Sequence, residues 1–181
     1  MEYINRENLN KNKYIITLNS VLDNLKFEPN TADIFEQSIK ELGNLIGFKG
    51  SRPENDYGKG PDNLWQMNDD DFLVIECKNG VINNTICKRD CNQLNGSIEW
   101  FKNNYGKLNK RCTPIMIHLG NCFEYSANPN SEIRIILPEK LELLKKRVKD
   151  FSTYLVSNNN FNNVENIKKG LRTYKISKEY L

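Results

Sequence analysis

Apolar residues recur at Ile15, Leu18, Leu22 and Leu25, the spacing of one helical face, until Pro29-Asn30 breaks the run. A second helix is predicted from Thr31, a suitable N-cap. Phe35, Ile39, Leu42, Leu45 and Ile46 form its apolar stripe, and Gly47 marks its stop. The stretch "KGSRPENDYGKGPD" is rich in Gly, Pro and Asn and reads as loop with one short strand. "NLWQM" and "FLVIECK" are strands joined through the turn "NDDD", so residues 62–78 form a hairpin. Leu94, Ile98 and Phe101 mark another helix, followed by strands "TPIMIHL" and "EIRIIL". Pro138 opens a helix whose face is Leu141, Leu144, Val148, Phe151 and Leu155. The run "NNNFNN", 158–163, reads as a polar loop, and a short basic segment follows.

The resulting order is two helices, three strands, a helix, two strands and a helix. A central mixed β-sheet flanked by helices, an α/β fold, is the expected architecture. The expected organisation is an N-terminal helical extension over 1–30, a core over 31–157, and a polar, basic C-terminal segment over 158–181.

Within this pattern, the stretch "FLVIECKNG" stands out. A run as apolar as Phe72-Leu73-Val74-Ile75 has a buried face, yet Glu76 and Lys78 end it. Charges near a core are costly unless paired, hydrogen-bonded or bound to metal. Side chains alternate along a strand, so Glu76 and Lys78 point one way, about 7 Å apart, with Cys77 opposite. The hairpin brings Asp62 alongside Glu76. Two carboxylates so placed can hold one divalent cation, and oxygen ligands suit Mg²⁺ or Mn²⁺. The backbone carbonyl of Cys77 and the carboxylate of Glu36, on the preceding helix, are further candidate ligands. Such an ion relieves charge on a phosphate and acidifies a water; Lys78 can orient that water or neutralise phosphate charge. This is the chemistry of phosphodiester hydrolysis.

"GPD" at 60–62 followed by "IECK" at 75–78 resembles the PD-(D/E)xK nuclease superfamily. The resemblance implies a restriction-endonuclease-like fold and a metal-dependent endonuclease. It also implies that Asp62, Glu76 and Lys78 are the motif residues and that Glu36, in "FEQSIKELGNLIGF", is the upstream glutamate. In "QLNGSIEWF" it points to Gln93 as a polar contact to the metal's water or the scissile phosphate. The longer segment "DCNQLNGSIEWF…PIMIH…FEYSA" is similar to nuclease domains attached to DEAD/DEAH-type helicases. No G-x-x-x-x-G-K-[ST] motif occurs in the chain, so a helicase or other motor would be a separate partner or domain.

Composition narrows the partners. Of 181 residues, 38% are hydrophobic and 27% charged, suited to a soluble domain with a real core. No apolar run approaches the roughly 20 residues of a membrane span, and the polar N-terminus lacks a signal-peptide core. A cytoplasmic protein with no membrane partner is expected. Five cysteines without a C-x-x-C pair argue for free thiols rather than disulfides or zinc. Net charge is only +3, but residues 138–181 hold ten basic against five acidic side chains and carry +5, leaving −2 elsewhere. This asymmetry suits a polyanion, DNA above all. Lys88, Arg89, Lys145, Lys146 and Arg147 are the candidate phosphate contacts.

The single histidine, His118, lies on an apolar strand and reads as a core or rim residue, which argues against histidine-based nucleophilic chemistry. Trp65, Trp100, Phe101 and Tyr105 have the spacing of core packing rather than of base stacking. Two other functions compete with a DNA nuclease. One is a non-catalytic nucleic-acid-binding or scaffolding domain on the same fold; the other is an RNA nuclease, because the site chemistry does not distinguish the two polymers. Cutting both strands of a duplex would favour a two-fold homodimer.

Overall fold

The computed structural model describes residues 10–176. Residues 1–9 of the N-terminal extension, and Lys178 and Glu179 of the basic C-terminal portion, lie outside the described residues. Among those described, no helix is long and apolar enough to cross a membrane.

Helix α1 spans Lys11–Asp23, and the Asn10 side chain caps it by accepting from Lys13 N at 3.1 Å. Helix α2 spans Ala32–Leu45. Thr31 precedes it, but its hydroxyl makes no capping bond. It donates instead to Glu28 O at 2.7 Å and accepts from Asn79 Nδ2 at 2.9 Å, tying the α2 entrance to the segment after the motif strand.

Strand β1 is Lys49–Ser51, β2 is Asn63–Gln66 and β3 is Asp71–Cys77. Asn68 Oδ1 closes the β2–β3 turn by accepting from Asp70 N and Asp71 N at 2.9 and 2.8 Å. The stretch read as loop also contains a helix, α3, Pro53–Tyr57. Pro53 sits at its first turn, and Gly58, at φ 69°, ends it in the left-handed conformation. A five-residue helix is too short to show periodicity, which is why composition hid it.

Helix α4 spans Lys88–Tyr105, β5 Arg111–Ile117, β7 Arg134–Ile136 and α5 Pro138–Val156. Two two-residue strands, β4 (Thr85–Ile86) and β6 (Cys122–Phe123), pair in parallel as a separate small sheet that the sequence reading did not anticipate. The polar run 158–163 is not an open loop. Residues Ser157–Asn162 wind as a 3₁₀ turn that buries Phe161. The final segment forms helix α6, Val164–Thr173, capped by Asn163.

The main sheet has five strands in the order β1-β2-β3-β5-β7. The first three form an antiparallel meander; β3, β5 and β7 are parallel. The mixed central sheet therefore matches the expected α/β architecture. Alternation along β3 separates the two layers. Phe72 and Val74 face α4 and pack with Leu94, Ile98, Phe101 and Met116. Leu73, Ile75 and Cys77 face the opposite layer of α1, α2, α5 and α6, around Phe35, Leu42 and Phe151. Each of these three side chains is fully buried, contributing about 2–3 kcal/mol of transfer free energy. Trp65 lies in this second layer and donates to Ile39 O at 3.1 Å; Phe101 stacks on Tyr105 in the first.

Candidate active site

β2 and β3 pair with Asn63 opposite Ile75, so the preceding residue, Asp62, meets Glu76 across the ladder. The approach to Asp62 depends on Gly60, whose φ of 105° favours glycine and whose Cβ, if present, would lie 2.9 Å from the Trp100 ring. Asp62 is 5% exposed and Glu76 fully buried. Asp62 Oδ2 accepts the backbone N–H of Cys77 at 2.7 Å. Glu76 Oε1 accepts the hydroxyl of Ser97, from α4, at 2.7 Å. Lys78 N donates to Ile117 O at 2.8 Å, which extends the β3–β5 ladder to the lysine. Its ammonium donates to Gln93 Oε1 at 2.9 Å and to Glu76 Oε2 at 3.4 Å, and lies 4.0 Å from Asp62 Oδ2. The structure thus brings Asp62, Glu76, Lys78 and Gln93 into one cluster.

Glu36 reaches the same field from α2. Asn63, buried, donates from Nδ2 to Glu36 O at 3.0 Å and so ties α2 to β2. The Glu36 carboxylate is held by Arg52, which bridges it and Asp33 at 2.5 and 2.9 Å. Arg52 and Glu54 belong to the α3 region and were not singled out in the sequence. Glu54 hydrogen-bonds to Asp62, which requires a proton on one carboxyl. That bond, with burial and the charges of Asp62 and Glu36, lifts Glu54 to about 7.

The carboxyls repel one another. Burial first, then the charge of Asp62, raises Glu76 to about 8, against the opposing pull of Lys78 and of the Ser97 hydroxyl. Burial and Asp62 raise Glu36 as well, while Arg52 and Lys78 draw it down. Burial acts to lower Lys78, but Asp62 and Glu76 outweigh it and its pKa is raised. The ammonium is the cation that balances this cluster.

His118 follows β5 on the face of Lys78. Its Nδ1 lies 3.0 Å from both N and O of Gly120, and burial lowers its pKa. Gly120 is required there: an added Cβ would lie 1.8 Å from Asn84 O. Lys88 and Arg89 open α4, exposed, with Arg89 Nε 3.6 Å from Asp90. Glu124 Oε2 accepts from Lys88 N at 2.9 Å. The structure does not bring Lys145, Lys146 and Arg147 to this cluster; they lie on α5, in the layer opposite α4. Lys145 donates to Leu25 O and Glu142, and Lys146 pairs with Asp150.

Among the described residues, no three His, Cys, Asp or Glu side chains are grouped so as to hold a metal ion as they stand. The donor chemistry nevertheless fits a hard cation. The ligands on offer are carboxylate oxygens, and three of these carboxyls, Glu36, Glu54 and Glu76, are held above their usual range, partly by mutual repulsion. A divalent ion relieves that repulsion. No family model, curated protein or solved structure matches this chain.

Proposed function

We propose that this chain is a Mg²⁺- or Mn²⁺-dependent nuclease of the PD-(D/E)xK type, with a restriction-endonuclease-like core, that hydrolyses phosphodiester bonds in DNA. The observation that carries this reading is the convergence of Asp62, Glu76 and Lys78 at the carboxyl end of β3, with Gln93 bonded to the lysine.

In this reading Asp62 and Glu76 hold the ion, with Glu36 and the Cys77 carbonyl as supplementary ligands. The ion supplies Lewis acidity at the phosphate and a water of lowered pKa. Lys78 shares its carboxylate partners with that ion. With those carboxylates holding an ion, the ammonium would keep Gln93 as its partner. Lys78 is then suited to orient the attacking water or to neutralise charge on the phosphate, while Gln93 fixes the direction of Nζ.

The test is cleavage of supercoiled plasmid and of labelled single-stranded DNA and RNA, in Mg²⁺, Mn²⁺ or EDTA, by wild type and Lys78→Ala. Metal-dependent cutting of DNA that is lost in Lys78→Ala supports the reading. Salt-sensitive binding without cutting in any metal would favour a non-catalytic binding domain instead. Cutting of RNA alone would reassign the substrate.

A further inference from the structure

Among the described residues, the three most exposed large apolar side chains are Tyr125, Ile82 and Tyr57, at 105%, 88% and 73%. They are far apart in sequence, yet the topology sends all three to the end of the sheet that holds the cluster. Tyr57 ends α3, three residues beyond Glu54. Ile82 lies in the connection that leaves Lys78 at the carboxyl end of β3. Tyr125 lies in the connection after β5, next to Glu124, whose carboxylate holds the first N–H of α4. The β4–β6 ladder joins the last two connections, and the contact of Gly120 with Asn84 sets their spacing.

Single exposed apolar side chains are ordinary on a protein surface. Here the three extremes lie in connections at one end of the sheet, and the same connections and the start of α4 carry exposed cations at Lys59, Lys88 and Arg89. Cations answer to a phosphate backbone. Rings and an aliphatic side chain answer to the faces of bases, which a continuous duplex keeps stacked and hidden.

Resting on the nuclease reading, we propose that Tyr57, Ile82 and Tyr125 form a base-contacting rim. The site then takes a nucleic-acid strand with unpaired bases in preference to a continuous duplex. The cations follow the backbone, and the tyrosines hold the bases that flank the scissile phosphate.

The experiment uses the full chain and a single-stranded DNA oligonucleotide carrying 2-aminopurine, in EDTA so that nothing is cut. Stacking on a tyrosine quenches the probe. The expected result is quenching on binding, and affinity lowered about fivefold or more by each of Tyr57→Ser and Tyr125→Ser. The same sequence as duplex should bind more weakly to wild type, and duplex binding should be unaffected by the two substitutions. Circular dichroism of the variants, whose changes are at the surface, checks that they fold.

Equal binding of single strand and duplex, with the tyrosine variants unchanged, would overturn the rim. So would a concentration-dependent self-association abolished by these substitutions, which would assign the rim to a second copy of the chain. Plasmid and single-strand cleavage in Mg²⁺, run on the same preparations, separates the two ideas. A wild type that cuts while the variants behave like it overturns the rim alone; one that neither binds nor cuts any nucleic acid overturns the nuclease reading.

Discussion

Ser97 donates its hydroxyl to Glu76 Oε1 at 2.7 Å, so α4 supplies the hydrogen bond that steadies a fully buried carboxylate on β3. That bond favours the ionised form. Ser97→Ala should raise the Glu76 pKa and move the alkaline rise of the pH–rate profile upward. It should also destabilise the protein by about 1–2 kcal/mol above pH 8, where the carboxylate must be charged. Urea unfolding at two pH values, beside the rate profile, checks both. An unshifted profile would mean that Glu76 does not set the rate.

Stability of the metal-free chain should fall as pH rises. A carboxyl whose folded pKa lies above its unfolded value binds more protons when folded. Its stabilising contribution is therefore full below about 4.5 and is lost as pH rises through about 7 for Glu54 and about 8 for Glu76. Added Mg²⁺ takes the place of those protons, so its gain in Tm should be larger near pH 8 than near pH 5. Thermal melts across pH, with Mg²⁺ and with EDTA, measure this. A gain independent of pH would place the ion elsewhere.

Arg52→Met should cost about 2–3 kcal/mol, since it leaves the half-buried Glu36 without its cation. With Glu36→Gln already present, the same change should cost markedly less, because the one carboxylate left without its cation, Asp33, is solvent-exposed. A double-mutant cycle by urea denaturation reads the coupling; additive losses would show that the pair does not interact.

Gln93→Ala should lower kcat by about tenfold and leave binding of DNA intact, a smaller loss than for Lys78→Ala, because it removes only the acceptor that directs Lys78. Cleavage rates at saturating DNA, set beside affinity measured in EDTA, test this. A loss confined to affinity would reassign Gln93 to substrate binding.

Gly120→Ala should destabilise by about 2 kcal/mol or more, since its Cβ would strike the Asn84 backbone. Hydrogen exchange should quicken at Thr85 and Cys122, which face one another in the small sheet. Unchanged exchange there would show that the loops accommodate the methyl group.

The parts of the site legible in the sequence were those on elements long enough to show a period. Asp62, Glu76 and Lys78 sit on a hairpin whose alternation and turn are plain, and Gln93 lies on a periodic helix. Ser97 was legible in principle, four residues from Gln93 and hence on the same helical face. Asp33 and Glu36, three apart on α2, likewise present one face to a common cation. What hid Arg52 and Glu54 was their setting, a short helix inside a Gly/Pro/Asn-rich stretch. The small sheet was hidden for a similar reason: its strands of two residues are specified by the close approach of two connections, not by local preference. In the "NNNFNN" run the one clue to a packed turn was its phenylalanine, Phe161, which enters the core with α1 and α5.

The hydrogen bonds that hold the carboxylates of Asp62 and Glu76 also fix how each would face an ion. Asp62 Oδ2 accepts from Cys77 N and Glu76 Oε1 from Ser97, so each carboxylate is oriented by a hydrogen bond while lone pairs remain on its oxygens for an ion. An ion held mainly by two carboxylates would complete its shell with water. That suits Mg²⁺, small, octahedral and reluctant to shed its hydration, over Ca²⁺, which favours six to eight ligands and often bidentate carboxylates. On the nuclease reading, a backbone amide and a serine would thus set the direction of both ligands without touching the ion.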